Sequence, residues 1–340
     1  MTACHQYIER ASGLPRTEQL FADRLVRWMY QPLREQAPPL FKALTSARMS
    51  HWLGTINFDL DAVSPLLGQE RFLRRCGVDL SECLDPLERL NTPRRIFERK
   101  IRYWQCRPMA NDQATVVAPA DSRMLMGSLA EQDSLYLKEK FFSLRELLGD
   151  DKPRWCERFA AADYAVFRLT PDKYHYNHLP VSGELVDQYE LGDRYHACNP
   201  GAVVAEVTPY SKNRRLVTLI DTDVEGGSGV GLVAMIEVVA LMIGDLEPCY
   251  CEGEGYTPVV AQRPGLQLRK GQPKSLFRPG SSTVVLLFEP RRIEFCADLL
   301  RNQQRVDVSS RFTLGFQKPL VETEVEVRST IARRRGGYCL

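Results

Sequence analysis

The chain has 340 residues, 44% of them hydrophobic and 26% charged, with 45 Lys and Arg against 43 Asp and Glu for a formal net charge of +2. That balance fits an ordinary soluble globular protein able to bury a substantial core, and it sets aside a dedicated nucleic-acid binder, which carries a strong basic excess. The ten cysteines follow no repeated spacing and the N-terminus MTACHQYIER lacks the apolar stretch of a signal peptide, so a cytoplasmic, reducing setting is expected.

In chain order, TEQLFADRLVRWMYQPLR (17–34) comes first. Leu20, Phe21, Leu25, Trp28 and Met29 recur there at near 3.6 spacing, predicting an amphipathic helix that Pro32 ends or kinks. Arg24, Arg27 and Arg34 lie among them, which leaves two readings open: a helix docked on its own domain, or one resting on an anionic bilayer as a peripheral contact. From Thr115 the pattern changes to short apolar runs bounded by Pro, Gly, Asp and Asn: TVVA, YAVFRLT, RLVTLID, GLVAMI, TVVLLFE and RRIEFC, each read as a strand. SLRELLG interrupts them as a short helix, with Ser143 as its cap and Gly149 as its stop. The glycines of EGGSGVG (225–231) lack the Lys-Ser/Thr of a phosphate loop and lead into a strand, so they predict a hairpin turn. The most apolar window, Val230 to Ile243, is interrupted by Glu237 and falls short of the ~20 residues that span a bilayer, so it reads as core strand. The arginine-rich tail IARRRGGYCL reads as a solvated end. The predicted class is α+β, with a helical N-terminal region (1–105) packed on a β-rich body (106–340).

Three elements carry candidate chemistry. FRPGSSTVVLLFEP places Ser281 and Ser282 between a Pro-Gly turn and a buried run, where a turn needs no hydroxyl pair; the serines either cap the turn or react. Two of the five histidines, His175 and His178, fall in DKYHYNHLPVSG. Pro180 and Gly183 argue against a helix presenting them to a metal, and no further ligands are evident, whereas neutral imidazole is the natural general base for a serine hydroxyl. Asp121 follows a turn in APADSRM and is either a turn residue or the carboxylate that orients an imidazole. The one close cysteine couple, Cys249 and Cys251, is a weak metal signal and reads as two thiols; no metal is expected.

Taken in order, FERKIR with RPM (97–109), VVAPADS, YLKEKFFSLRELLG, VFRLTPDKYHYNHLPVSG, CNP (198–200), ALMIG, LRKGQ and GSSTVVLLFEP resemble the phosphatidylserine decarboxylase family of pyruvoyl-dependent enzymes, from about Phe97 to Gly315. The resemblance implies self-cleavage between Ser281 and Ser282 into a large β chain and a small α chain, with Ser282 becoming a covalently bound pyruvoyl group that forms a Schiff base with the substrate amine. It implies that His178 is the base of self-cleavage, Asp121 its orienter, and His175 a proton donor in decarboxylation. The implied substrate is phosphatidylserine, converted to phosphatidylethanolamine. A soluble decarboxylase of a free, for example aromatic, amino acid and an unprocessed non-catalytic relative are the alternatives, and a homo-oligomer is compatible with either. Three positions depart from the family pattern, each replacing a usual glycine: Ser281, Ser122 and Glu139. The first bears on whether cleavage moves to the Gly280–Ser281 bond.

Overall fold

The strand that begins at Ser282 explains the architecture. In STVVLLF all seven residues are buried, and because side chains alternate across a strand the run feeds two cores. Val284, Leu286 and Phe288 enter one of them, and Val285 and Leu287 the other. Only a strand with neighbours on both sides and layers on both faces can be apolar throughout.

A computed structural model describes residues 4–18, 78–130, 142–196, 200–205, 209–240, 245–251, 253–258, 263–280 and 282–336. The predicted helix from Leu20 to Arg34, Ser281 and Glu139 lie outside these residues. Among them the strands are β1 (Gln6–Glu9), β2 (Leu14–Thr17), β3 (Thr115–Val117), β4 (Ser122–Ser128), β5 (Asp163–Leu169), β6 (Tyr176–His178), β7 (Gly183–Leu191) and β8 (Arg215–Asp221). They continue with β9 (Leu232–Val239), β10 (Leu246–Pro248), β11 (Gln267–Leu268), β12 (Pro273–Phe277), β13 (Ser282–Phe288), β14 (Ile293–Phe295), β15 (Thr323–Val325) and β16 (Thr330–Arg334).

Ten strands form one sheet in the order β11-β7-β8-β9-β13-β5-β4-β15-β1-β2, while β10-β12-β6 and β14-β16-β3 form two small sheets. Short helices cover one face of the large sheet, where Leu147, Leu148, Trp155, Phe159, Phe312 and Phe316 meet Val285 and Leu287. The small sheets cover the other, where Val116, Leu179, Phe277 and Ile331 meet Val284 and Leu286. The architecture is sheet-rich α+β. All six predicted strands are present, and the stretch around Glu237 is the fully buried β9.

The predicted caps hold as well. Ser143 accepts a hydrogen bond from the Glu146 N–H and Gly149 ends the helix Leu144–Leu148 at a φ of 100°, a conformation that favours glycine. EGGSGVG closes the hairpin between β8 and β9. The start of the chain differs from the helical expectation: β1 and β2 form a hairpin on the large sheet, and β1 runs parallel to β15. Residues 6–17 are too short and too rich in paired edge positions to show the period-2 signal that would have announced them.

Candidate active site

Ser282 opens β13, opposite Val239 of β9 on one side and Leu169 of β5 on the other. Its side chain points with Val284 and Leu286 towards the small sheets. The residue is 1% exposed and its Oγ has no hydrogen-bond partner among the described residues. A buried hydroxyl without a partner costs free energy, which makes it a feature to be explained by chemistry. The turn before it is held firmly: the Arg278 N–H bonds to Asp245 O at 2.9 Å, and its guanidinium bonds to Glu98 at 2.8 Å and to Glu247. Gly280 has a φ of 153°, a value L side chains rarely adopt.

The histidine segment lies against the strand that leads into this turn. β6 pairs with β12, and the Phe277 N–H donates to His175 O at 3.0 Å. The His178 N–H donates to Pro119 O at 2.7 Å, and the Leu179 N–H to Gln272 O at 2.9 Å. Backbone bonds thus tie together the three segments that the sequence singles out: the loop before Asp121, the histidine strand and the strand leading to the serine pair.

Both imidazoles are fully buried. His175 stacks on Phe97 with ring centroids 3.5 Å apart, and neither ring nitrogen has a hydrogen-bond partner among the described residues. Burial, with the nearby Arg99 charge adding to it, lowers its pKa to about 3. His178 meets the Tyr103 ring edge-on at 4.7 Å; its Nδ1 faces Gly271 O at 2.8 Å and its Nε2 faces Tyr174 Oη at 3.0 Å. Burial lowers its pKa to about 3 as well. Both rings are therefore neutral at pH 7, the state in which a histidine accepts a proton.

Asp121 sits just before β4, whose first residue Ser122 pairs with Val325. Its carboxylate is held by Arg107, at 3.1 and 2.9 Å, and by the Val327 N–H at 2.8 Å. Although burial alone would raise its pKa, Arg107 keeps it lowered and the group ionised. The expectation that Asp121 orients His178 by a triad-like hydrogen bond is corrected: the two ring nitrogens of His178 face Gly271 and Tyr174, and Asp121 acts on the ring through its charge, which favours the imidazolium. Arg107 also pairs with Glu82, at 2.7 and 3.1 Å. Ser122, in place of the usual glycine, turns its hydroxyl onto Ala120 O at 3.0 Å and so stays out of the site.

Sequence reasoning missed two groups. The tyrosines Tyr174 and Tyr256 lead outwards from His178 (Tyr174 Oη to Tyr256 Oη, 2.8 Å); Tyr174 stands inside the histidine motif, but nothing local marks Tyr256. Glu237 interrupts an apolar run and was visible for that reason alone. Its carboxylate pairs with Lys274 and with the Ser275 hydroxyl and accepts from Asn177 Nδ2 at 2.8 Å, all four residues being fully buried. Glu237 stands opposite Val284, two residues along β9 from the partner of Ser282. This quartet pins β12 and the histidine strand to the centre of the large sheet. Cys249 and Cys251 are free, buried thiols.

A serine at the head of a doubly flanked strand, two neutral buried histidines and an ionised carboxylate thus lie on segments joined by backbone hydrogen bonds. Comparison with known proteins gives this arrangement its family. The phosphatidylserine decarboxylase family profile matches residues 94–313, well over half the chain. The chain belongs to the phosphatidylserine decarboxylase family, whose members are pyruvoyl-dependent carboxy-lyases. Among its relatives are the phosphatidylserine decarboxylase proenzymes of Chlamydia trachomatis, 28% identical over 86% of this chain and 90% of the relative, and of Bordetella petrii, 32% identical over 66% and 78%. That of Fusobacterium nucleatum is 23% identical over 91% of this chain and 95% of its own length.

Proposed function

We propose that this chain is a proenzyme that cleaves its own backbone at the serine pair and then decarboxylates phosphatidylserine to phosphatidylethanolamine, using a pyruvoyl group made from Ser282. The observation that carries this reading is the orphaned, buried Ser282 hydroxyl at the head of β13, in a chain whose relatives are proenzymes of that name. Ser282 Oγ attacks the carbonyl carbon of residue 281 while His178 takes its proton. The C–N bond breaks, the amine of residue 282 is protonated, and residues 281 and 282 are joined by an ester. Removal of the Ser282 α-proton then breaks the ester C–O bond, giving residue 281 a carboxylate and leaving dehydroalanine, which adds water and loses ammonia.

The resulting carbonyl supplies an electrophile for a substrate amine and a sink for the electrons left by departing carbon dioxide, as cofactor carbonyls do in other decarboxylases. The residues present fit that group: Ser282, which would hold it, is 1% exposed at the head of a buried strand. His175 delivers the proton that replaces the carboxylate, and Asp121 steadies positive charge on His178. The polypeptide remains one body after cleavage, because β13, β15 and β16 of the small chain each lie between strands of the large chain or pair with them. Burial of the five apolar side chains of β13 contributes on the order of 10 kcal/mol to that association. The enzyme works in the cytoplasm, touching the bilayer peripherally to reach its lipid. No helix of the described residues is long and apolar enough to cross a membrane.

One observation favours a second reading of the cleavage position. Ser281 stands where the family usually has glycine, which makes the Gly280–Ser281 bond the alternative site. Intact mass under denaturing conditions decides both points. Chains 1–281 and 282–340, the second with a blocked N-terminus, are the expected result; chains 1–280 and 281–340 move the pyruvoyl precursor to Ser281. A single chain of 38.8 kDa overturns the proposal. Release of carbon dioxide from phosphatidylserine vesicles, but not from free amino acids, tests the substrate.

A further inference from the structure

His178 must gain and lose a proton while fully buried, and every group near it has to tolerate both states. Resting on the proposed role of His178, the relevant geometry lies on its outer side. Tyr174 Oη is 3.0 Å from His178 Nε2 and 2.8 Å from Tyr256 Oη. Tyr256 Oη in turn accepts from the Ile101 N–H at 3.0 Å and donates to the Ile101 carbonyl at 2.8 Å. Tyr174 is buried, and Tyr256 is partly exposed.

Donor arithmetic gives this chain two complete arrangements. With neutral His178, its Nδ1–H donates to Gly271 O, Ile101 N–H donates to Tyr256, Tyr256 to Tyr174, and Tyr174 to Nε2. With protonated His178, Nε2–H donates to Tyr174, Tyr174 to Tyr256, and Tyr256 to the Ile101 carbonyl, while Nδ1–H keeps Gly271. No donor is stranded in either arrangement, and the two interconvert by rotation of two hydroxyls. A backbone group offering both an N–H and a C=O to one phenol is what makes the reversal possible.

We propose that Tyr174 and Tyr256 form a reversible hydroxyl relay that fixes the Nδ1–H tautomer of neutral His178 and accommodates its protonated form. The proton taken from Ser282 in self-cleavage is returned to the leaving amine. The other groups facing the ring are Tyr103 edge-on and the charges of Asp121, Arg107 and Arg328; none of them reverses its hydrogen bonding in this way. Tyr174 and Tyr256 are positioning residues, acting through His178.

The test uses the full chain with 15N-labelled histidine, in the wild type, Tyr174→Phe and Tyr256→Phe. At pH 7 the His178 ring is expected as the Nδ1–H tautomer in wild type and Tyr256→Phe, with the hydrogen-bond shift at Nε2 lost in Tyr174→Phe; an Nε2–H tautomer in the wild type overturns the relay. The rate of self-cleavage, followed by intact mass, is expected to fall about tenfold in Tyr256→Phe, where the protonated state strands one hydroxyl, and about a hundredfold in Tyr174→Phe. Phenylalanine keeps the ring packing, so an unchanged rate and pH profile in Tyr256→Phe shows a purely structural tyrosine and overturns the relay even where Tyr174→Phe fails to fold. A wild-type chain that never cleaves defeats the proposed function by itself, and the tautomer spectra still decide the relay.

Discussion

Two buried polar clusters in this molecule are built on opposite rules. Around His5, charges are matched: Arg168 bonds Glu18 at 2.9 and 2.7 Å and Glu322 at 2.9 and 2.6 Å, Arg123 pairs with Glu18 at 2.7 Å, and His5 Nε2 lies 2.9 Å from Glu322 while its Nδ1 accepts from the Arg311 N–H at 3.2 Å. Around Ser282, by contrast, the serine hydroxyl and the His175 nitrogens have no hydrogen-bond partner among the described residues, and burial keeps both histidines neutral. His5, Glu18 and Glu322 could be taken for a metal site, since one ligand atom of each lies within 4.8 Å of the others. The two guanidiniums already balance the two carboxylates, so the cluster is a clamp. It ties His5 and Glu18, which flank the β1-β2 hairpin, to β4, β5 and Glu322. Ion pairing dominates the first cluster, and neutral, desolvated groups dominate the second.

The largest expected effect breaks the unmatched cluster. Ser282→Ala removes the attacking hydroxyl and leaves the backbone intact, so denaturing electrophoresis should show one uncut chain, folded and without decarboxylase activity; normal processing in this variant moves the reaction to Ser281. His178→Ala is expected to slow cleavage by a factor on the order of 10² to 10⁴, the usual worth of a positioned base, read as precursor accumulating over hours. The next effect breaks the matched cluster. Glu322→Gln leaves Arg168 and Arg123 sharing Glu18, and removing one partner of a buried pair costs about 3–5 kcal/mol. Urea unfolding should report that loss, while cleavage at the serine pair proceeds. A Glu322→Gln chain that unfolds at the wild-type urea concentration would sink the clamp.

How far each cluster was legible in the sequence follows the same division. Strands such as RLVTLID and TVVLLFE announce themselves because local periodicity and burial agree, and the helix at Ser143 because its cap and its stop are local. Ser282, His175, His178 and Asp121 stand out through their motifs, and backbone bonds join the loop before Asp121, the histidine strand and the strand leading to the serine pair. What the sequence hid is long-range partnership. Nothing near Asp121 shows that Arg107 and Val327 hold it, or that Gly271 and Tyr174 hold His178, across separations of 14, 206, 93 and 4 residues. The clamp was hidden too: His5 and Glu322 are 317 residues apart, and the hairpin β1-β2 is read only by its pairing with β15.

The smallest effect separates the two clusters on the pH axis. His175 and His178 have folded pKa values of about 3 against an ordinary 6.5. The unfolded chain therefore binds more protons than the folded one between those values, and stability falls as pH drops below 6.5. Glu18 and Glu322 are also lowered, but from 4.5, because Arg168 outweighs the cost of their burial. Their contribution is complete above that value and is lost only as pH falls below it. The window from 6.5 to 4.5 thus belongs to the active-site histidines, and below 4.5 the clamp adds its own loss to theirs. Between pH 7 and pH 5.5 the two histidines should cost about 2 kcal/mol of stability in urea titrations. His178→Gln should halve that upper slope, whereas Glu322→Gln should leave the upper slope and flatten only the limb below 4.5. An upper limb insensitive to His178→Gln would mean that the ring is not held neutral by burial, and with it would go the argument that the site keeps its base ready at pH 7.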